Sequence, residues 1–418
     1  MSTEQLRALE SDLSEQYQAI KQRGLNLDLT RGKPSNEQLD LSNALLGDIS
    51  AAARSDASLR NYGGLLGIPA ARELFAPVLG VTADETLVGG SSSLTLMYFA
   101  AHFAMHLGVD GPKSAWSKEG KIKFLAPVPG YDRHFSVCET LGIELIPVAL
   151  LDDGPDMDEV ERHLKADPLI KGIWCVPRFS NPTGHVYSDA VVERFAGLAK
   201  IAGKNFRIFW DNAYALHSLQ SDAPVLANLM DACRAQGTED SVYLFGSTSK
   251  ITFAGAGVSF AGMSRRNLDN FSANLGMTQI GPDKINQLRH VEFLKDETRL
   301  AALMQQHAAL LKPRFDAVLN GLEKGLAGTG MGEWTQPQGG YFISFNTRPG
   351  LAANVVRMSA EAGVKLTPAG ATYPYGKDPE DRNIRIAPSV PTVADITAAT
   401  EVFVTCVKLA TVRQQLAG

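Results

Sequence analysis

Four short runs in this sequence carry residues able to do chemistry. Gly89-Gly90-Ser91-Ser92-Ser93 joins glycines, which let a backbone approach a ligand closely, to three hydroxyls, and it leads into the apolar helical run Leu94 to Phe103. The free N–H groups of a helix start and those hydroxyls suit an anion such as phosphate. The same run also reads as a serine-rich helix cap. Pro177-Arg178-Phe179-Ser180-Asn181-Pro182-Thr183-Gly184 is a rigid turn presenting the Asn181 amide, although Asn-Pro-Thr-Gly is in itself ordinary turn chemistry. Asp211 follows the apolar run Phe206 to Trp210 and precedes Asn212, Ala213 and Tyr214. It reads either as a working carboxylate or as a helix cap. Gly246-Ser247-Thr248-Ser249-Lys250 ends on an amine, whose alternative is a solvated surface lysine. A lysine of ordinary pKa, about 10.4, is neutral to only about one part in 10³–10⁴ at pH 7. Nucleophilic work at Lys250 therefore needs burial or nearby positive charge.

The elements that must position these runs are strands. Between about residues 86 and 262 short β-rich runs alternate with longer helical patterns, the signature of βαβ units and a mostly parallel sheet. Seven strands are predicted: Thr86-Leu87-Val88, Ile122 to Ala126, Ile143 to Ile146, Gly172 to Val176, Phe206 to Trp210, Val242 to Phe245 and Val258 to Ala261. Ile122 to Ala126 and Gly172 to Val176 are apolar nearly throughout, as strands covered on both faces are. Ligands of open α/β sheets bind beyond the carboxyl ends of the strands, and all four chemical runs lie there. Each has a bland reading singly. In this order along one edge they offer a phosphate cradle, a donor for a ring hydroxyl, an acid for a pyridine nitrogen and an amine for an aldehyde. Those are the needs of pyridoxal 5'-phosphate (PLP).

Beyond Asp296 the pattern changes to a long helix through Leu322, a strand Tyr341 to Phe345, a helix near Ala352 to Ala362 and further short strands. This predicts a large PLP-binding domain over residues 51–295. A smaller α+β domain is expected from residues 1–50 and 296–418, with the N-terminal amphipathic helix packed on the C-terminal part. A chain of 418 residues accommodates two such domains.

A hydrophobic fraction of 44% and a charged fraction of 20% are those of a folded globular protein. A net charge of −5 without long single-sign runs provides no footprint for nucleic acid or an anionic membrane, which leaves small molecules as partners. Cys138, Cys175, Cys233 and Cys406 have neither metal-ligand nor disulfide-framework spacing, so no metal and a cytoplasmic setting are expected. The N-terminus lacks the basic start and apolar core of a signal peptide, and no apolar run is long enough to span a bilayer.

From about Gly32 to Arg385 the sequence resembles the fold type I PLP-dependent aminotransferases of class I/II. Ser247-Thr248-Ser249-Lys250 is similar to the family's Schiff-base lysine motif, Asp211-Asn212-Ala213-Tyr214 to its pyridinium-binding motif, and Asn181-Pro182-Thr183-Gly184 to its best-known loop. Leu29-Thr30-Arg31-Gly32-Lys33-Pro34 and Gly255-Ala256-Gly257-Val258-Ser259 resemble a divergent bacterial aspartate aminotransferase subgroup. The resemblance implies that Lys250 carries PLP and shuttles a proton during transfer of an amino group from an L-amino acid, aspartate by subgroup, to a 2-oxo acid such as 2-oxoglutarate. Asp211 would hold the ring nitrogen protonated, Asn181 and Tyr214 would bond the phenolic oxygen, and Tyr131 would stack on the ring. Ser91, Ser92, Ser247 and Ser249 would hold the phosphate, with Tyr62 reaching it from a neighbouring subunit, which implies a homodimer. Gly32, Asn181 and Arg385 would bind substrate, Arg385 by a bidentate grip on the α-carboxylate.

The sequence departs from the pattern at Gly257, seven residues after Lys250, where many relatives place a phosphate-binding arginine. Compensation by donors such as Arg31 or Lys33 is expected. No motif identifies a partner for a distal carboxylate, and Arg31 and Arg178 are the candidates. Competing readings are another PLP reaction on the same scaffold, such as β-elimination or decarboxylation, and the aminotransferase-like sensor module of a transcription regulator. The second would need a DNA-binding domain ahead of Gly32, for which about thirty residues leave no room.

Overall fold

Alternation along the apolar strands decides the architecture. The computed structural model describes residues 1–417, in which β1 (Leu27–Asp28), β2 (Thr86–Val88), β3 (Lys123–Val128), β4 (Glu144–Leu151), β5 (Gly154–Pro155), β6 (Ile170–Cys175), β7 (Arg207–Asp211), β8 (Val242–Ser247), β9 (Ser259–Met263), β10 (Gly332–Trp334), β11 (Ile343–Thr347), β12 (Val364–Lys365) and β13 (Asn383–Ile386) follow in order. Eight of them make one sheet in the order β2-β9-β8-β7-β6-β3-β4-β5. β3, β4, β6, β7 and β8 pair in parallel, whereas β9 runs antiparallel to both β2 and β8.

All residues of β6 and β7 are buried because successive side chains enter opposite cores. Leu125, Ile173, Cys175, Ile208, Trp210 and Leu244 face one cluster with the helices Met157–Ala166, Asp189–Gly197 and Leu229–Gln236. Phe124, Trp174, Phe209, Tyr243 and Phe245 face the other, with the helices Ser93–His106, Asp132–Thr140 and Arg265–Leu275. Each such side chain contributes about 1.5–3 kcal/mol by leaving water, so the strand ends are anchored from both faces. The seven predicted strands all form, and the sheet has an eighth. β5 is only a Gly-Pro pair antiparallel to the end of β4, too short for any periodicity and reading locally as a turn.

The helix Thr3–Gln22 starts from a Ser2/Gln5 capping box and buries Leu13, Tyr17 and Ile20, which lie on one face. That face shares a cluster with Val402, Phe403 and Cys406 of the helix Val393–Ala417, and Tyr17 Oη donates to Met358 O at 2.9 Å. β1 pairs in parallel with β12, and β10-β11-β13 form a separate antiparallel sheet. The helix Glu297–Leu326 joins the cores, burying Leu300, Leu303 and Met304 in the sheet cluster that holds Ile208 and Trp210, and Leu311, Phe315 and Val318 in the cluster that holds Tyr17 and Phe403. No helix among the described residues is long and apolar enough to cross a membrane.

Candidate active site

The carboxyl edge of the sheet carries the chemistry. Asp211 closes β7 and is buried. Its Oδ2 accepts from His134 Nε2 at 2.9 Å, while Oδ1 is buried without a hydrogen-bond partner among the described residues. A carboxylate only accepts, so that free oxygen lacks one N–H donor. His134 lies in the first turn of the helix Asp132–Thr140 and stacks on Trp174 with centroids 4.4 Å apart and planes within 11°. Sequence reasoning missed His134. The only signal was its place three residues after Tyr131, on one helical face.

Lys250 lies three residues beyond β8, with its Nζ 5.2 Å from the centre of the Tyr214 ring and without a hydrogen-bond partner among the described residues. Burial holds its pKa below the usual lysine range, against the opposing pull of Asp211. That is the direction a nucleophilic amine requires. The Tyr214 phenol is pushed well above its ordinary value, first by burial and then by the charges of Tyr131 and Asp211, so it remains a hydrogen-bond donor. Tyr131 packs edge-on against His134 at 5.0 Å, and burial followed by Asp211 raises it to about 12.

Arg385 stands in β13 opposite Ser344. Its Nη1 donates to Asn181 Oδ1 at 3.2 Å and Asp132 Oδ1 at 3.3 Å, and its Nε to Thr367 Oγ1 at 3.3 Å. The guanidinium lies 4.9 Å from the centre of the Phe342 ring. Lys250, Tyr131, Asn181, Tyr214, Gly32 and Arg385 all line one cavity of about 570 Å³, together with Arg31, Lys33, Asp132, Arg133 and Thr367. Gly32 has a packing reason as well: a Cβ there would sit 2.4 Å from Phe342 Cζ. A larger cleft of about 700 Å³ lies between Leu216–Val225 and the helix Glu297–Leu326, away from Lys250. Volume alone would choose the wrong place.

The serines gather where the loops that follow β2 and β8 meet, with β9 between the two strands. Ser249 Oγ donates to Ser91 O at 3.4 Å, Ser249 N to Ser247 Oγ at 3.4 Å, and Ser92 caps the helix Ser93–His106 without a side-chain bond to it. Hydroxyls and helix N–H groups are thus left for an anion. At Gly257 a Cβ would lie 3.1 Å from Ser249 N, so a side chain there would crowd the loop that leads to Lys250. Arg31 and Lys33 line the cavity alongside Arg385 and make no bond to the serine group. Tyr62 is 82% exposed, and within one chain it does not enter the cavity. Arg178 is removed as a distal-carboxylate candidate. It donates to Ala215 O, to Ser218 Oγ at 3.2 Å and to Pro224 O at 3.1 Å, and it lines the larger cleft.

These residues fit PLP: an unpaired carboxylate oxygen for a ring N–H, a free amine, and a hydroxyl-rich helix start. Comparison with known proteins agrees. The family model for aspartate amino-transferase matches residues 1–418. A protein of Mycolicibacterium smegmatis is 46% identical over 400 residues, covering 94% of this chain and 93% of its own. An aspartate aminotransferase of Corynebacterium glutamicum is 43% identical over 412 residues, covering 97% and 94%. The crystal structure of an aspartate transaminase from Corynebacterium glutamicum superposes with a TM-score of 0.94 at 43% identity, over 99% of this chain and 98% of that one. The chain belongs to the aspartate amino-transferase family and is a PLP-dependent aminotransferase.

Proposed function

We propose that the chain moves the amino group of L-aspartate to a 2-oxo acid such as 2-oxoglutarate. The observation that carries the reading is that Lys250, Asn181, Tyr214 and Arg385 line one cavity, with the half-satisfied Asp211 buried at the end of β7. The aspartate aminotransferase of Corynebacterium glutamicum supports aspartate as the donor. When bound, PLP supplies an electrophilic carbonyl and an electron sink. Asp211 keeps the ring nitrogen protonated, and His134 holds Asp211 in place. Asn181 and Tyr214 would donate to the ring oxygen, and Tyr131 would flank the ring. Lys250 would hold the cofactor through its Nζ and, once the substrate amine displaces it, the freed Nζ would take the proton from the substrate Cα and pass it on. Arg385 grips the α-carboxylate, exchanging Asp132 for it. Arg31, Lys33 and Arg133 are the remaining cavity cations and the candidates for the distal carboxylate.

Ser91, Ser92, Ser247 and Ser249 hold the phosphate. In place of an arginine at position 257, the helix start and Tyr62 from a second copy supply the further donors, which makes the active unit a homodimer. Residues 51–295 form the cofactor domain, and 1–50 with 296–418 the smaller one. Four unpaired, buried cysteines support a cytoplasmic setting.

The test is spectroscopic. The purified protein with PLP is expected to show a visible absorption band that bleaches on adding aspartate, and Lys250→Ala is expected to lose the covalent band and about 10²- to 10⁴-fold of turnover. A band that survives Lys250→Ala refutes the assignment. A preference for aromatic or apolar amino acids in a substrate panel refutes aspartate.

A further inference from the structure

Four buried polar side chains converge on the backbone of Lys250 and Ile251. Gln38, in the short helix Asn36–Asp40, is fully buried, as are His307, Tyr341 and His217 to within 3%. Their hydrogen positions are forced in sequence. Ile251 O can only accept, so His307 Nε2, 2.8 Å away, carries a proton. His307 Nδ1, with the ring neutral, accepts from Gln38 Nε2 at 3.0 Å. The second Nε2 proton of Gln38 goes to Tyr341 Oη at 3.0 Å, and Tyr341 Oη then donates to Lys250 O at 3.5 Å. His217 Nε2 donates to the same carbonyl at 3.3 Å. Gln38 Oε1 is itself held by Ser35 N at 3.1 Å. Burial lowers the His307 pKa and takes His217 down to about 3, which keeps both rings neutral as these bonds require.

We infer that Gln38 is a positioning residue for Lys250. Through His307 and Tyr341 it fixes the carbonyls of Ile251 and Lys250, and so sets the direction in which the Lys250 amine enters the cavity. Apart from Lys250 itself, none of the residues in these bonds lines the cavity, and Gln38 lies 212 residues from Lys250 in the chain. The arrangement also links two walls of the site. The segment Arg31-Gly32-Lys33, which lines the cavity, packs on Tyr341 and Phe342 through Gly32, and a few residues later the same segment grips Tyr341 through Gln38. A buried network with every donor aimed holds one geometry, whereas one that loses a member leaves polar groups unpaired.

The inference rests on the assignment of PLP to Lys250, and the experiment separates the two. Wild type, Tyr341→Phe, Gln38→Leu and the double variant are compared by PLP titration of the apoenzyme, by visible circular dichroism of the loaded enzyme, and by the isotope effect on α-deuterated aspartate. Each single variant is expected to weaken PLP binding about 2- to 10-fold, to alter the visible dichroism and to enlarge the isotope effect with KM unchanged. The double variant should be little worse than Gln38→Leu, because both changes break one chain of bonds. Wild-type affinity, dichroism and isotope effect in Tyr341→Phe overturn the inference, as does a fall in Tm with the dichroism intact. Should Gln38→Leu fail to fold, Tyr341→Phe decides alone, since it removes one hydroxyl and keeps the ring. A wild type without a visible band refutes the Lys250 assignment, and the positioning role with it.

Discussion

His134 donates from Nε2 to Asp211 Oδ2 across 2.9 Å while its ring lies flat on Trp174. The stack fixes the plane of the imidazole, and the bond fixes one oxygen of the carboxylate, so the other is aimed without being used.

Replacing His134 by Leu therefore leaves Asp211 buried with neither oxygen paired. A hydrogen bond to a charged group contributes about 1.5–3 kcal/mol, so kcat/KM for aspartate is expected to fall about 10- to 100-fold and PLP affinity with it. Steady-state kinetics and a PLP titration of His134→Leu check this, and unchanged values would show that Asp211 is held without the histidine.

Asp132 occupies Arg385 from the side facing the cavity, at 3.3 Å, and is itself partly exposed. An ion pair of that exposure contributes less than about 1 kcal/mol. Asp132→Asn is thus expected to lower KM for amino-acid substrates about 2- to 5-fold with kcat little changed. Arg385→Lys, which cannot grip a carboxylate with two parallel bonds, should lose about 10- to 100-fold in kcat/KM. A rise in KM for Asp132→Asn would make Asp132 a support for Arg385 instead of a competitor.

Gly32→Ala would place a methyl 2.4 Å from Phe342 Cζ, and Phe342 in turn lies beneath the Arg385 guanidinium. Overpacking of this kind costs about 1–3 kcal/mol. Thermal or denaturant unfolding should register that loss, and KM should rise because the arginine moves with its platform.

Acid should destabilise the fold in a defined window. His217 has its folded-state pKa depressed to about 3 by burial, with His307 and Lys250 charges adding to the effect, and burial depresses His102, His185, His290 and His307 as well. Below the ordinary histidine value, about 6.5, the unfolded chain binds protons that the folded chain refuses, so stability falls as pH drops from about 6.5 toward 3. Denaturant unfolding across pH 4–8 should show that slope, and His217→Gln should flatten it. An unaltered slope would assign the acid sensitivity to the other histidines or to carboxylates.

Much of this protein is written locally. The seven strands of the large sheet could be placed because each is a short apolar run closed by glycine, proline or polar residues, and apolar periodicity and turn chemistry are properties of neighbours in sequence. For the same reason the order of Ser91, Asn181, Asp211 and Lys250 past successive strands was readable, and with it the cofactor. β5 escaped because two residues carry no period.

What the chain could not declare locally are the partners of those residues. His134 and Asp211 are 77 residues apart, and Arg385 and Asp132 are 253 apart. Arg178 and Arg31 look alike as free cations in sequence. Folding spends one on the carbonyls of Ala215 and Pro224 and turns the other into the cavity. Gln38 carries no mark at all until the helix Glu297–Leu326 brings His307 against it. Strand and turn formation is decided by a residue's own neighbours. The aim of an amine, the free oxygen of a carboxylate and the tautomer of a histidine are decided by what packs across the core from distant parts of the chain.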